Sequence, residues 1–282
     1  MKTVLTIVLF IVAAPLAGGL MAGLDRKAGA WMQSRVGPPL LQPFYDVAKL
    51  FSKQNIAVHK SQKYYVLCFL VFVILSGALF VAGQDLLLVI FALTLADVFL
   101  ILGAYSVRSP YSYVGAEREL VQMMAYEPMV IITAIGMYMV TKSFSVADIA
   151  AFEQNLFVKL PGIFIGLLFV LTGKLRKSPF DLSMSHHAHQ EIVGGVLTEF
   201  SGAELAMVKI AYWYQNVFLL GLVCLFFASA FWLGVGAVML TFFLEVFIDN
   251  NSARLTWQFT LASSWIAAAV LGMGNLVVLI FI

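Results

Sequence analysis

The chain has 282 residues, 62% hydrophobic and 11% charged, with a mean hydropathy of +0.95. Soluble domains average about half apolar and about a quarter charged, so a water-soluble fold is excluded and an integral membrane protein is indicated. A net charge of +2 provides no basic surface for nucleic acid, and the two isolated cysteines, Cys68 and Cys224, offer no CxxC, CxxCH or iron–sulfur spacing, so this polypeptide cannot by itself hold a cluster or a c-type haem.

About 20 apolar residues are needed to cross a hydrocarbon core of about 30 Å. Eight such stretches occur, at about 3–24, 64–82, 84–104, 121–141, 156–174, 204–227, 230–248 and 258–281. They predict an all-α, polytopic membrane protein with about eight transmembrane helices plus interfacial amphipathic helices. Short connections near Gly83-Gln84 and Ala228-Ser229 make two of the pairs helical hairpins. The opening "MKTVLTIVLFIVAAPLAGG" has the form of a signal peptide, but the apolar run continues through Leu24 into a cationic segment, which suits a retained first helix.

Between the first two spans, residues 25–63 are too polar to cross, yet Leu40, Leu41, Phe44, Val47, Ala48 and Phe51 recur at 3–4 spacing. A segment of this kind lies in the interface with its apolar face toward lipid. Residues 145–153 read as a smaller version on the opposite side. The loops after spans 1, 3, 5 and 7 carry 13 of the Lys and Arg residues, against three on the other side. Cytoplasmic loops hold the cationic excess, so these four loops are expected in the cytoplasm and both termini outside.

Several charges fall where hydrocarbon is expected. Asp97 is near the middle of span 3, Glu127 in span 4, Glu204 and Lys209 early in span 6, and Glu245 late in span 7. An ionised carboxylate at mid-bilayer costs about 2.5–3.5 kcal/mol on insertion scales, so such groups face a bundle interior and mark ion paths, or else form structural ion pairs. Glu204 and Lys209 lie about 140° apart round a helix and are not expected to pair with each other. Glu245, close to Asp249 and the interface, reads more readily as a helix-end charge.

Residues 175–203 form the loop with the densest titratable chemistry. It contains His186, His187 and His189, three of the four histidines in the chain, followed by Glu191 and Glu199. Three readings stay open. A metal site would need three or four ligands, and this loop supplies no cysteine. A packed or solvated histidine loop is the second. The third places groups that titrate near neutral pH beside carboxylates, as a proton uptake site at the cytoplasmic mouth.

The same residues carry a resemblance. Phe180-Asp181-Leu182, then Glu191-Ile192-Val193-Gly194 and Glu199-Phe200-Ser201-Gly202, are similar to a loop in the membrane subunit that roofs the quinone chamber of respiratory complex I. "MQSRVGPPLLQPFYDVAKLFSKQ" resembles the first loop of that family, and "RELVQMMAYEP" resembles its R-x-x-x-Q-x-x-x-Y-E. The three matches keep their order from about residue 25 to about 215. His187 and His189 stand where that loop has acids, and Tyr212 stands where the family carries another. This version is similar to the counterpart subunit of energy-converting, membrane-bound nickel–iron hydrogenases, which use ferredoxin and protons rather than quinone.

The resemblance implies a non-catalytic membrane subunit that holds no cofactor itself, with iron–sulfur clusters and a nickel–iron centre in partner subunits. Those partners would be the peripheral hydrogenase large and small subunits and antiporter-like membrane subunits, within a prokaryotic cytoplasmic membrane. His187, His189, Glu191, Glu199, Glu204, Lys209, Glu127 and Asp97 are the expected proton or sodium path. Arg35, Asp46 and Lys49 are the expected docking residues, while Asp181 and Arg118 would support the loop through ion pairs. A quinone-chamber subunit of a complex I-like enzyme is the first alternative, and a stand-alone ion carrier is the second.

Overall fold

A computed structural model of the chain describes residues 2–54, 60–180, 183 and 194–281. Among these residues the structure is helical, with no strand beyond an isolated bridge between Asp85 and Ser145. Seven helices are long and apolar enough to cross a membrane: α1 (Lys2–Met32), α3 (Lys60–Val81), α4 (Leu86–Tyr105), α5 (Pro110–Thr141), α9 (Gly202–Leu225), α10 (Phe231–Asn251) and a final run of α11 (Trp257–Ala267), a π turn (Ala268–Met273) and α12 (Gly274–Phe281). The shorter helices are α2 (Gln42–Ser52), α6 (Val146–Ala150), α7 (Leu156–Lys159) and α8 (Pro161–Lys174).

The stretch expected as a fifth span is thus divided. Pro161 has no backbone N–H and restricts the residue before it, so the helix restarts there. The exposed helix start is capped from the far end of the chain: the Gly162 and Ile163 amides donate to Asn275 Oδ1 at 3.0 and 3.2 Å, and Asn275 Nδ2 donates to the Lys159 carbonyl at 3.2 Å. Such repair is what permits a helix break at membrane depth. With 14 residues, α8 rises only about 21 Å, less than a hydrocarbon core. Its last residue, Lys174, is therefore enclosed within the bundle, where it is 5% exposed.

Two other helices run beyond their apolar stretches. α1 continues to Met32, and α5 begins at Pro110, a residue pre-set for the first helical turn, carrying Glu117, Arg118 and Glu119 ahead of its apolar part. α4, α5 and α9 form the interior, with α3 against α4 and α9, α8 against α5, and α1 and α10 on α9. α1, α3, α10 and the final helix present residues such as Leu5, Leu67, Phe243 and Trp265 outward, an apolar belt suited to lipid or to neighbouring membrane subunits.

The amphipathic α2 lies across α1 and α9. Val47 is buried with Ala206 and Trp213, and Phe44 meets the Trp213 ring at 5.2 Å. The chain reaches α2 by crossing α1 closely: a Cβ on Gly23 would lie 2.1 Å from the Leu40 carbonyl oxygen, so no larger residue fits without moving backbone. A second close approach, of the 3-10 turn Gly195–Leu197 onto α5 at Gly115, holds the end of the loop that precedes α9 against the bundle.

Candidate functional site

Three cations at the end of α8 organise the buried charge. Lys174, Arg176 and Lys177 each take carboxylates from different helices, and together they tie α1, α4, α5 and α10 to one point in the chain.

Lys174 is the deepest. Its Nζ lies 3.1 Å from Asp97 Oδ2 and 3.8 Å from Glu127 Oε1, with all three side chains at most 16% exposed. Asp97 is further held by the Tyr126 hydroxyl, which donates at 3.0 Å, and by Gln215 Nε2 at 3.4 Å. The Thr94 hydroxyl donates to Glu127 at 2.7 Å, and the Lys174 ammonium lies 4.0 Å from the Tyr126 ring centroid. Fully ionised, this group has two negative charges and one positive. One more proton, or one monovalent cation, would neutralise it, and in a low-dielectric interior such an imbalance weighs heavily. Pro128 follows Glu127 in α5 and cannot donate to the carbonyl of Met124, which loosens the helix beside the carboxylate.

Arg176 forms a bidentate pair with Glu119, at 2.8 and 2.5 Å, and donates to Ser183 Oγ at 3.3 Å. Its guanidinium lies 4.4 Å from the Tyr212 ring centroid. Burial disfavours the charge, but Glu119 and Tyr212 outweigh it and hold the guanidinium protonated even more firmly than usual. Lys177 bonds Asp25 of α1 and, at 3.2 Å, Asp249 of α10; burial would lower its pKa, but these two acids outweigh burial and raise it. The Ser178 amide also donates to Asp249, at 2.8 Å.

A cavity of about 900 Å³ opens between α1, α9, α10 and this segment. Its lining includes Asp25, Arg26, Gln33 and Arg35 as well as the buried Lys174, Gln215 and Glu245. Among the described residues, no group of three or more His, Cys, Asp or Glu side chains stands close enough to hold a metal ion.

The expected path residues distribute unevenly over this geometry. Asp97 and Glu127 are brought together through Lys174. Glu204 is 1% exposed on α9 with Oε2 unpartnered, and lies about 16 Å down that helix from Gln215. The Glu199 carbonyl accepts from Gln62 Nε2 at 3.4 Å. Lys209 is half-buried, with the Asp46 carboxylate an opposite charge that acts on it. His187, His189, Glu191 and Asp181 lie outside the described residues. Among the expected docking residues, Arg35 is exposed, lines the cavity and bonds Gln33, and Lys49 is exposed. Asp46 pairs with Arg26 at 2.7 Å and accepts from Gln42 at 3.0 Å. Arg118 is half-buried on α5, one residue before the Arg176 partner Glu119. Lys174 and Glu119 are the functional candidates that sequence reasoning missed.

The sequence profile of the family described as NADH dehydrogenase matches residues 4–280. The chain belongs to the NADH dehydrogenase family. Its relatives include an NADH-quinone oxidoreductase subunit of Rubrobacter xylanophilus, 32% identical over 209 residues, covering 66% of this chain and 62% of that protein. Hydrogenase-4 component C of Escherichia coli is likewise 32% identical, over 67% of this chain and 64% of that protein. Both matches span less than two thirds of the relative's length. A protein of an archaeal respiratory membrane complex, the membrane-bound sulfane sulfur reductase, has the same fold, with a TM-score of 0.84 over 98% of this chain and 100% of that chain at 23% identity. This NADH dehydrogenase family member is thus a multi-pass membrane protein whose fold is shared with proteins of respiratory complexes.

Proposed function

We propose that this chain is the membrane anchor and ion-coupling subunit of a ferredoxin-linked, proton-reducing, energy-converting hydrogenase complex. It docks peripheral large and small subunits that carry the iron–sulfur clusters and nickel–iron centre, contacts antiporter-like membrane subunits, and begins the proton or sodium path. It does so in a prokaryotic cytoplasmic membrane with both termini outside. The observation that carries the reading is the sharing of one enclosed ammonium, Lys174, by two carboxylates, Asp97 and Glu127. The ammonium sits nearer one acid than the other, so a change of charge at the cytoplasmic loop can shift it between them, releasing one carboxylate to accept a proton or a cation. His187, His189, Glu191, Glu199 and Glu204 would relay that change from the docking face, and Arg35 and Lys49 would contact the peripheral subunits.

The test is ion translocation by the whole complex in inverted vesicles. Asp97→Asn and Glu127→Gln preserve shape and hydrogen bonding while removing the proton-carrying group. Each should assemble and lose most of its pumping, and undiminished pumping in both would remove the group from the path. The cavity between α1 and α10 favours a second reading, a quinone-chamber subunit of a complex I-like enzyme, because it is large enough for a headgroup. Hydrogen evolution from reduced ferredoxin by the purified complex supports the first reading. Quinone reduction without hydrogen evolution supports the second.

A further inference from the structure

Glu245, which reads in the sequence as a helix-end charge, is instead a buried acid that the ion pairs do not explain. It sits on α10, a helix that turns Leu240, Phe243, Leu244 and Phe247 outward. Glu245 itself is only 3% exposed. Its Oε1 accepts from the Thr172 hydroxyl at 3.3 Å, while its Oε2 is buried without a hydrogen-bond partner. No described cation is within ion-pair distance of it. Lys177, an opposite charge that acts on it, is already engaged by Asp25 and Asp249, and Lys174 by Asp97 and Glu127. A structural carboxylate in this position would be expected to hold a cation or several donors, and Glu245 has one weak donor.

Its placement supplies a reason. Glu245 lies on the wall of the 900 Å³ cavity together with Lys174 and Gln215. Those two are also direct partners of Asp97, at 3.1 and 3.4 Å. The wall between the cavity and the Asp97–Lys174–Glu127 group is therefore one layer of polar side chains, and Glu245 is the titratable member of that layer that is not spent in an ion pair. Thr172, which holds it, is two residues before Lys174 on the same helix end.

We propose that Glu245 is a lateral proton-transfer residue, passing protons between solvent in the α1–α10 cavity and the Asp97–Lys174–Glu127 group. In the inward step the O–H bond at Glu245 breaks, the proton ends on a carboxylate oxygen of Asp97 or Glu127, and Glu245 is left as a carboxylate. A proton from solvent entering the cavity then restores it. The groups facing Glu245 are the Thr172 hydroxyl, Lys177 and Asp249, with Lys174 and Gln215 beside it on the cavity wall. This deepens the proposed function, since it requires the buried group to be part of an ion path.

The experiment measures pumping and redox turnover of the intact complex in inverted vesicles for wild type, Asp97→Asn, Glu245→Gln, Glu245→Asp and Glu245→Ala. The inference expects Glu245→Gln to assemble and to lose pumping at least tenfold, Glu245→Asp to retain part of it, and Glu245→Ala to regain activity on addition of formate. A small weak acid can enter a cavity of this size, and rescue by it is a response that a merely structural residue does not give. Normal pumping by Glu245→Gln while Asp97→Asn is inactive would overturn this inference and leave the proposed function intact. Normal pumping by Asp97→Asn would instead count against the proposed function. Failure of both the Gln and the Asp variants to assemble would mark Glu245 as structural and also overturn the inference.

Discussion

Two ion-paired regions of the molecule have similar contact distances and very different surroundings. At the end of α8, Lys174, Arg176 and Lys177 meet five carboxylates from four helices, and the Lys174–Asp97 pair is 2% and 1% exposed. At the edge of the bundle, Arg26 holds Asp46 at 2.7 Å, but these side chains are 44% and 29% exposed. Water screens the second pair and competes for both of its members, so breaking it returns two solvated charges. Breaking the first strands a charge in protein, where the full desolvation penalty appears. The distances do not rank the two regions; burial does. The α8 end is consequently where a small change of protonation has structural and electrical leverage, whereas the Arg26–Asp46 pair staples α2 to α1.

The contrast breaks most visibly at Lys174. Replacing it with Met keeps the length and apolar stem but leaves Asp97 and Glu127 enclosed without their cation, a loss of about 3–5 kcal/mol. The expected outcome is a large fall in assembled complex, seen as loss of the subunit from detergent-purified material. Adding Asp97→Asn to Lys174→Met should restore part of the yield by removing one stranded charge, and a double variant no better than the single one would show that the pair is not coupled. The corresponding change on the exposed side, Arg26→Met, should leave assembly unaltered.

The acids of the central group were visible in the sequence because a carboxylate inside an apolar run is conspicuous: Asp97 and Glu127 stand out against Leu, Ile and Val. Lys174 was not visible, since a lysine at the end of an apolar stretch ordinarily marks the cytoplasmic surface. Its burial depends on where the helix starts, and the signal for that was Pro161, four residues after Phe157 in what otherwise reads as one continuous span. The cap that makes the break tolerable, Asn275, is 113 residues from Gly162, a pairing that no local pattern reveals. Glu119 was hidden for the opposite reason, lying in a charged stretch that reads as loop but is the first part of α5. Glu245 looked like a helix-end charge because Asp249 follows one turn later, and only the packing of α10 on α9 turns it inward. The amphipathic α2 was legible from its 3–4 spacing, whereas the use of Asp46 as an intramolecular staple needed its distance to Arg26.

A change at Arg176 sharpens the comparison at intermediate strength. Arg176→Lys keeps the charge but loses the planar fork that bonds Glu119 twice, so one charge-assisted hydrogen bond disappears, worth about 1.5–3 kcal/mol. The thermal midpoint of the purified complex should fall by several degrees, with a smaller loss of yield than in Lys174→Met. A double-mutant cycle with Glu119→Gln should show coupling between the two positions, and strictly additive effects would deny the pair its role in holding the loop to α5.

The smallest effect is expected at Asp46. Burial opposes its ionisation, yet the hydrogen bonds from Arg26 and Gln42 outweigh burial and hold its pKa below the usual carboxylate range. A carboxyl depressed in the folded state contributes stability that is present above its unfolded pKa, about 3.9, and is lost as pH falls through the lower folded value. Because both partners are well exposed, the contribution is at most about 1 kcal/mol. Asp46→Asn should therefore lower the thermal midpoint by about 2 °C at pH 7, where the wild-type carboxylate is ionised. The difference from wild type should be constant from pH 6 to pH 8 and should shrink only in acid, as the wild-type carboxyl protonates. A difference that instead grows toward acid would mean that Asp46 acts through its protonated form. A loss as large as that of Lys174→Met would mean that the edge of the molecule is as tightly enclosed as its centre, contrary to the burial that separates the two regions.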